Sequence, residues 1–158
     1  MLRAMSTDSG IGGLAASIGR GLVAGAIGTA AMTVSSTIEQ KARDREASTA
    51  PADAAMKVLG IEGFCDDGAK NRFSTLVHWG YGTGWGIPRA LLDRAGLSPA
   101  AATAAHGGAL WGSEQIMLPA LGVAPPLWEW GPVEVAIDAL HHIVYTVATT
   151  VAYAALRR

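Results

Sequence analysis

Four stretches of this chain carry no Asp, Glu, Lys or Arg: residues 21–38, 73–88, 95–113 and 139–156. Each approaches the ~20 residues that a helix needs to cross a hydrocarbon core. Charged residues make up 16% of the chain, against roughly 25% in ordinary soluble domains. Four such runs in 158 residues predict an all-α fold, a four-helix transmembrane bundle, with spans at 17–38, 72–92, 99–118 and 134–156. The rival is a soluble, alanine-rich bundle, because a mean hydropathy of +0.28 is modest. The chain reads as one multi-pass membrane domain over residues 1–158. A net charge of −1 offers no basic footprint for nucleic acid. The single cysteine, Cys65, excludes an intrachain disulfide and a cysteine zinc cage.

Residues 1–10 read as a tail. No compact apolar core with a small-residue cleavage site follows, so the first helix is expected to be kept as an anchor. It is expected over 11–40, longer than the hydrocarbon core at ~1.5 Å per residue. Residues 39–72 form the most polar segment. Within it a short interfacial helix is expected, with Ser48 or Thr49 as cap, Pro51 in its first turn and Gly60 at its end. Ala55, Val58 and Leu59 would lie on the membrane or the bundle. The second helix is expected over 71–92, with Pro88 kinking or ending its apolar part. The third follows over 99–117 and the fourth over 133–156. Residues 118–132 form a loop with four prolines and with Trp128 and Trp130, aromatics suited to a membrane interface. Lys and Arg divide six against six between the two sides, which leaves the charge rule for orientation silent. Arg157 and Arg158 at a helix end favour both termini inside.

Residues 78–86, HWGYGTGWG, alternate glycine with other residues. A phosphate loop needs a strand-to-helix turn and a lysine or hydroxyl in set places, which this stretch lacks. On a helix, Gly80 and Gly84 share a face in GxxxG spacing. Gly21 with Gly25, and Gly108 with Gly112, repeat that spacing. Small residues let helices approach closely in lipid, so these six glycines are expected to pack the bundle.

The last helix carries its polar groups on one side. Glu134, His141, His142, Tyr145 and Thr149 all fall within about 60° of Asp138 at ~100° per residue. Intramembrane ionisable groups are costly and face the bundle interior or water. His78 and Tyr81 from the second helix, and His106, Ser113 and Glu114 from the third, can meet them. So can Thr29, Thr33, Ser36 and Gln40 from the first.

Three readings fit. Histidine beside carboxylate can bind a proton near neutral pH, for sensing or transport. His142 and Asp138, with His78 or His106, offer metal or haem ligands, though no HExxH or repeated ExxH motif is present. The groups can also simply hydrogen-bond across helices. The proton reading leads, with Asp138 and His142 central and His78, His106 and Glu114 supporting. The main rival is a non-catalytic scaffold that meets a membrane partner or its own copy through the glycine faces. No cofactor, metal or catalytic residue is assigned; nothing resembles a nucleophile with its base and oxyanion donors, so no enzyme is expected.

Residues 118–145, LPALGVAPPLWEWGPVEVAIDALHHIVY, resemble the C-terminal part of the YagU-like bacterial inner-membrane proteins. GLVAGAIGTAAM is similar to their first helix, and small actinobacterial membrane proteins share the layout. The matching positions are Leu121, Gly122, Pro125, Pro126, Trp128, Glu134, Asp138 and His142. The resemblance implies a multi-pass inner-membrane protein with a link to acid or envelope stress. The charged first loop and the His141–His142 pair depart from that pattern.

Overall fold

The computed structural model describes residues 10–158, and the expected tail falls mainly on residues 1–9, outside the described residues. Those described form six α-helices and one short 3₁₀ turn, with no strand among them. Helix α1 spans Ile11–Arg43 and ends at Asp44, whose left-handed backbone returns its N–H to Gln40 O. Helix α2, Ala50–Leu59, stops at Gly60 with φ of 67°. Helix α3, Asp67–Gly84, is capped by Asp66, whose carboxylate accepts from Ala69 N at 2.6 Å. Helix α4 is Gly86–Arg94, and α5 is Pro99–Ala120, capped by Ser98. A 3₁₀ turn at Leu127–Glu129 leads to α6, Pro132–Leu156.

Two expectations are corrected in detail. The second helix breaks at Trp85, not at Pro88. Pro88 sits in the first turn of α4, where its missing N–H costs nothing. In α2 the buried face is Ala52 and Ala54, while Val58 and Leu59 stand exposed and Thr49 makes no side-chain cap, its hydroxyl donating to Asp53.

The helices make four antiparallel rods: α1, α3 with α4, α5, and α6. Arg43 near the end of α1 meets Glu134 at the start of α6. Asp93 near the end of α4 meets Arg157 after α6, and Arg94 reaches Ser17 in the first turns of α1. The start of α1, the end of α6 and the 95–98 turn therefore share one end of the bundle. The polar 44–66 segment and the 121–131 loop share the other.

Small residues make this packing possible. The buried face of α1 is Gly13, Ser17, Gly21, Ala24, Gly25, Gly28 and Thr29. A Cβ on Gly21 would stand 2.5 Å from Gly86 O, and one on Gly25 2.5 Å from Thr83 O, so α1 and the α3–α4 junction touch through backbone. Gly28 leaves room for Thr149 and Tyr145 of α6. A Cβ on Gly80, Gly84, Gly108 or Gly112 would meet no described atom within 4 Å, so among the described residues the close approaches of those six belong to Gly21 and Gly25, joined by Gly28, Gly82, Gly86 and Gly107.

The interior mixes apolar residues, Ala24, Ala90, Ala102, Leu110, Leu118 and Ala152 among them, with polar groups such as Thr29, His106 and Thr149, whereas Val34, Ile116, Ile143 and Val151 are 59–74% exposed. Among the described residues, α1 and α6 are long and apolar enough to cross a membrane by length and composition. The other two expected spans, 72–92 and 99–118, fall on α3–α4 and α5. None of α3, α4 and α5 meets that measure; the break at Trp85 leaves α4 short, and His106, Glu114 and Gln115 make α5 more polar.

Candidate functional site

The polar face of α6 is shared among three neighbours. Asp138 and His142, one turn apart, face α5. There Trp111, Glu114 and Gln115 are presented together, because residues three and four apart share a helix face. Gly107 lets α5 come close, since a Cβ there would meet the Thr146 side chain at 3.1 Å.

His142 Nδ1 lies 2.8 Å from the Asp138 backbone oxygen. A carbonyl only accepts, so Nδ1 carries hydrogen and donates. His142 Nε2 then lies 2.6 Å from Glu114 Oε2. Two bare lone pairs would repel at that distance, so one hydrogen sits between them, on the imidazole or on the carboxyl. Asp138 completes the centre. Its Oδ2 accepts from Trp111 Nε1 at 2.6 Å and from Gln115 Nε2 at 3.3 Å, and its Oδ1 is 3.6 Å from His142 Nδ1. Donor atoms of Glu114, Asp138 and His142 all lie within 4.8 Å of one another, close enough to share one small cation. His142 is buried, and the two carboxylate side chains are each 22% exposed. A crevice of about 350 Å³ runs beside the centre between α5 and α6, lined by Thr103, Gly107, Trp111, His142, Ile143 and Thr146 among others.

The remaining candidates lie elsewhere. His141 turns to α1, with Nδ1 2.8 Å from Ser35 Oγ and Nε2 3.8 Å from Glu39 Oε2. Glu39 holds Arg45 at 2.5 Å and Arg43 at 3.2 Å, and Arg43 bridges to Glu134 at 2.6 Å. This clasp joins the end of α1 to the start of α6. The hydrogen bond from Arg45 is the main reason the Glu39 carboxyl is held below its ordinary value of 4.5. Glu39 in turn raises Arg45.

His78 Nε2 donates to Thr33 Oγ1 at 2.8 Å, because Thr33 spends its own hydrogen on Thr29 O. His106 Nε2 donates to Trp85 O at 2.9 Å, and Tyr145 OH to Gly82 O at 2.6 Å. These three bonds satisfy the α3–α4 junction, and none of them reaches the Glu114–His142–Asp138 centre.

Trp111 and Gln115 belong to the centre and were not foreseen, although their spacing from Glu114 on α5 carried the signal. Arg89, which falls in the expected second helix and enters the sequence reading only as one of the charges on one membrane side, is a further unforeseen residue. It is 2% exposed, with its guanidinium carbon 5.1 Å from the centroid of the Tyr153 ring.

No protein family, curated protein or solved structure matches this chain.

Proposed function

We propose that this chain is a small integral membrane protein that crosses the inner membrane four times and binds a proton at the Glu114–His142–Asp138 centre. The observation that carries the reading is the 2.6 Å approach of His142 Nε2 to Glu114 Oε2, a geometry that requires one hydrogen between two groups able to hold it. The exposed aliphatics of α1, α5 and α6 and the buried His, Thr and Tyr groups support the bilayer as its surroundings. The resemblance of residues 118–145 to YagU-like proteins points the same way, and with it a role in acid or envelope stress. The protein binds and responds rather than catalyses. Its open glycine faces, Gly80 with Gly84 and Gly108 with Gly112, leave room for a membrane partner or a second copy.

Trp111 is a built-in reporter, because its indole N–H donates to Asp138. Indole proton–nitrogen NMR of the protein in micelles should show the Trp111 signal moving through one transition with pH. Trp130, whose indole N–H donates to the Pro125 carbonyl, should stay still. The transition should vanish in Asp138→Asn and change in His142→Gln. A Trp111 signal that never moves while the fold persists would sink the reading. One divalent metal per purified chain would replace the proton by a metal at the same donors.

A further inference from the structure

We propose that Arg89 is an electrostatic plug: it closes the interior behind the Glu114–His142–Asp138 centre, so the centre exchanges its proton with one side of the membrane only. The inference rests on the proton-binding reading and decides between sensing a proton and moving it.

Arg89 lies in α4, buried among α4, α5 and α6. Its Nε reaches Thr150 Oγ1 at 3.4 Å, and Thr150 in turn meets Thr103 of α5 at 3.1 Å. Its Nη1 has no hydrogen-bond partner within the protein. The carboxylate one turn on, Asp93, pairs directly with Arg157 and acts on Arg89 only through its field. No described carboxylate forms an ion pair with Arg89. A guanidinium does not give up its proton in a protein. Arg89 is therefore a fixed positive charge with no directly bonded carboxylate among the described residues, set over the Tyr153 ring with Asp93 one turn away.

Its position matters. Thr150 follows His142 by eight residues on α6, roughly 12 Å along the axis. Tyr145, Thr146 and Thr149 of α6 and His106 of α5 fill the interval with polar groups. His106 Nδ1 and Thr149 Oγ1 are buried without a protein partner, as Arg89 Nη1 is. His106 Nδ1 is a bare acceptor, because its Nε2 carries the hydrogen given to Trp85 O. Buried polar atoms of this kind are normally met by water. Polar side chains thus lie between the centre and Arg89 alongside buried alanines, and a cation passing them would meet the guanidinium with little screening. Fixed positive charge excludes protons and cations from membrane pores in this way. Packing alone does not account for an arginine here, since an apolar side chain fills a buried site at lower cost.

The test uses the full chain in liposomes that contain a pH-sensitive dye. Wild-type vesicles should be as proton-tight as empty ones. Arg89→Met should raise proton flux at least about tenfold, as removal of an electrostatic barrier predicts. Arg89→Lys should stay tight because the charge remains. Adding Asp138→Asn to Arg89→Met should return the flux to baseline, since the proton passes through the centre. Arg89→Gln replaces Arg89→Met if the latter does not fold. A conducting wild type, or a folded neutral variant that stays tight, overturns the plug. The Trp111 titration on the same samples separates the two ideas. A flat Trp111 signal removes the proton-binding reading on which the plug depends. A titrating Trp111 with tight neutral variants removes the plug alone.

Discussion

His142 Nε2 and Glu114 Oε2 stand 2.6 Å apart, and this contact joins α6 to α5 at the level where α5 also presents Trp111 and Gln115. Removing one member of such a pair leaves the other buried without compensation. Glu114→Ala and His142→Ala should each lower stability by about 3 kcal/mol. The double variant should lose less than the sum, with a coupling of about 1–3 kcal/mol. Unfolding in mixed micelles by a denaturing detergent measures all three. Additive losses would show that the two side chains do not act as a pair.

The glycines separate into two groups with opposite expected responses. A Cβ on Gly21 would press on the Gly86 carbonyl, and one on Gly86 on Gly21. Gly86→Ala and Gly21→Ala should therefore each destabilise the bundle by about 1–3 kcal/mol, the usual cost of overpacking. Gly84→Ala meets open space and should be neutral or gain up to about 1 kcal/mol of helix propensity. The same unfolding assay ranks them. Gly84→Ala as damaging as Gly86→Ala would place a neighbour on that face, and cross-linking of the two forms would then identify a partner or second copy.

Helix positions were legible because their ends are written in short-range chemistry. Asp66 and Ser98 cap α3 and α5 as side-chain acceptors, and Pro99 and Pro132 open α5 and α6. The one-sided polar face of α6 was legible for the same reason. Which neighbour each group meets was not, because a helical wheel gives a direction and no partner. His141 and His142 are adjacent in sequence, yet about 100° of rotation sends one to Ser35 on α1 and the other to Glu114 on α5. Arg89 shows the limit most clearly. Its place in the expected second helix gave no direction for its side chain. With the break at Trp85, Pro88 falls in the first turn of α4 and the next residue turns inward.

The clasp between α1 and α6 gives a pH dependence with a definite sign. Glu39 has its carboxyl lowered, chiefly by Arg45. A lowered carboxyl stabilises the fold above its ordinary value of 4.5, and that stabilisation is lost as pH falls through the lower folded-state value. The melting temperature of wild type should exceed that of Glu39→Gln by a constant margin between about pH 8 and 5. The margin should close as the solution is acidified further. A margin independent of pH down to strong acid would mean that the ion pairs add nothing to the packing of Arg43 and Arg45.

Membrane topology can be decided from one native residue and two introduced ones. Cys65 is the single cysteine and is exposed beside the start of α3. If all four rods cross the bilayer, Cys65 and the 121–131 loop lie on one side, and the 95–98 turn lies on the other with the C-terminus. If α1 and α6 alone cross, residues 44–131 lie together on one side. A membrane-impermeant maleimide applied to intact spheroplasts distinguishes the two arrangements. Native Cys65 reports the first loop, and Cys65→Ala carrying either Val123→Cys or Leu97→Cys reports the others. Four crossings predict matching reactivity for Cys65 and Val123→Cys and the opposite for Leu97→Cys, with all three reactive once the membrane is opened. Matching behaviour of all three in intact cells would reduce the spans to two. The Glu114–His142–Asp138 centre would then have one member, Glu114, on a rod outside the bilayer, and proton binding there would no longer report on the membrane interior.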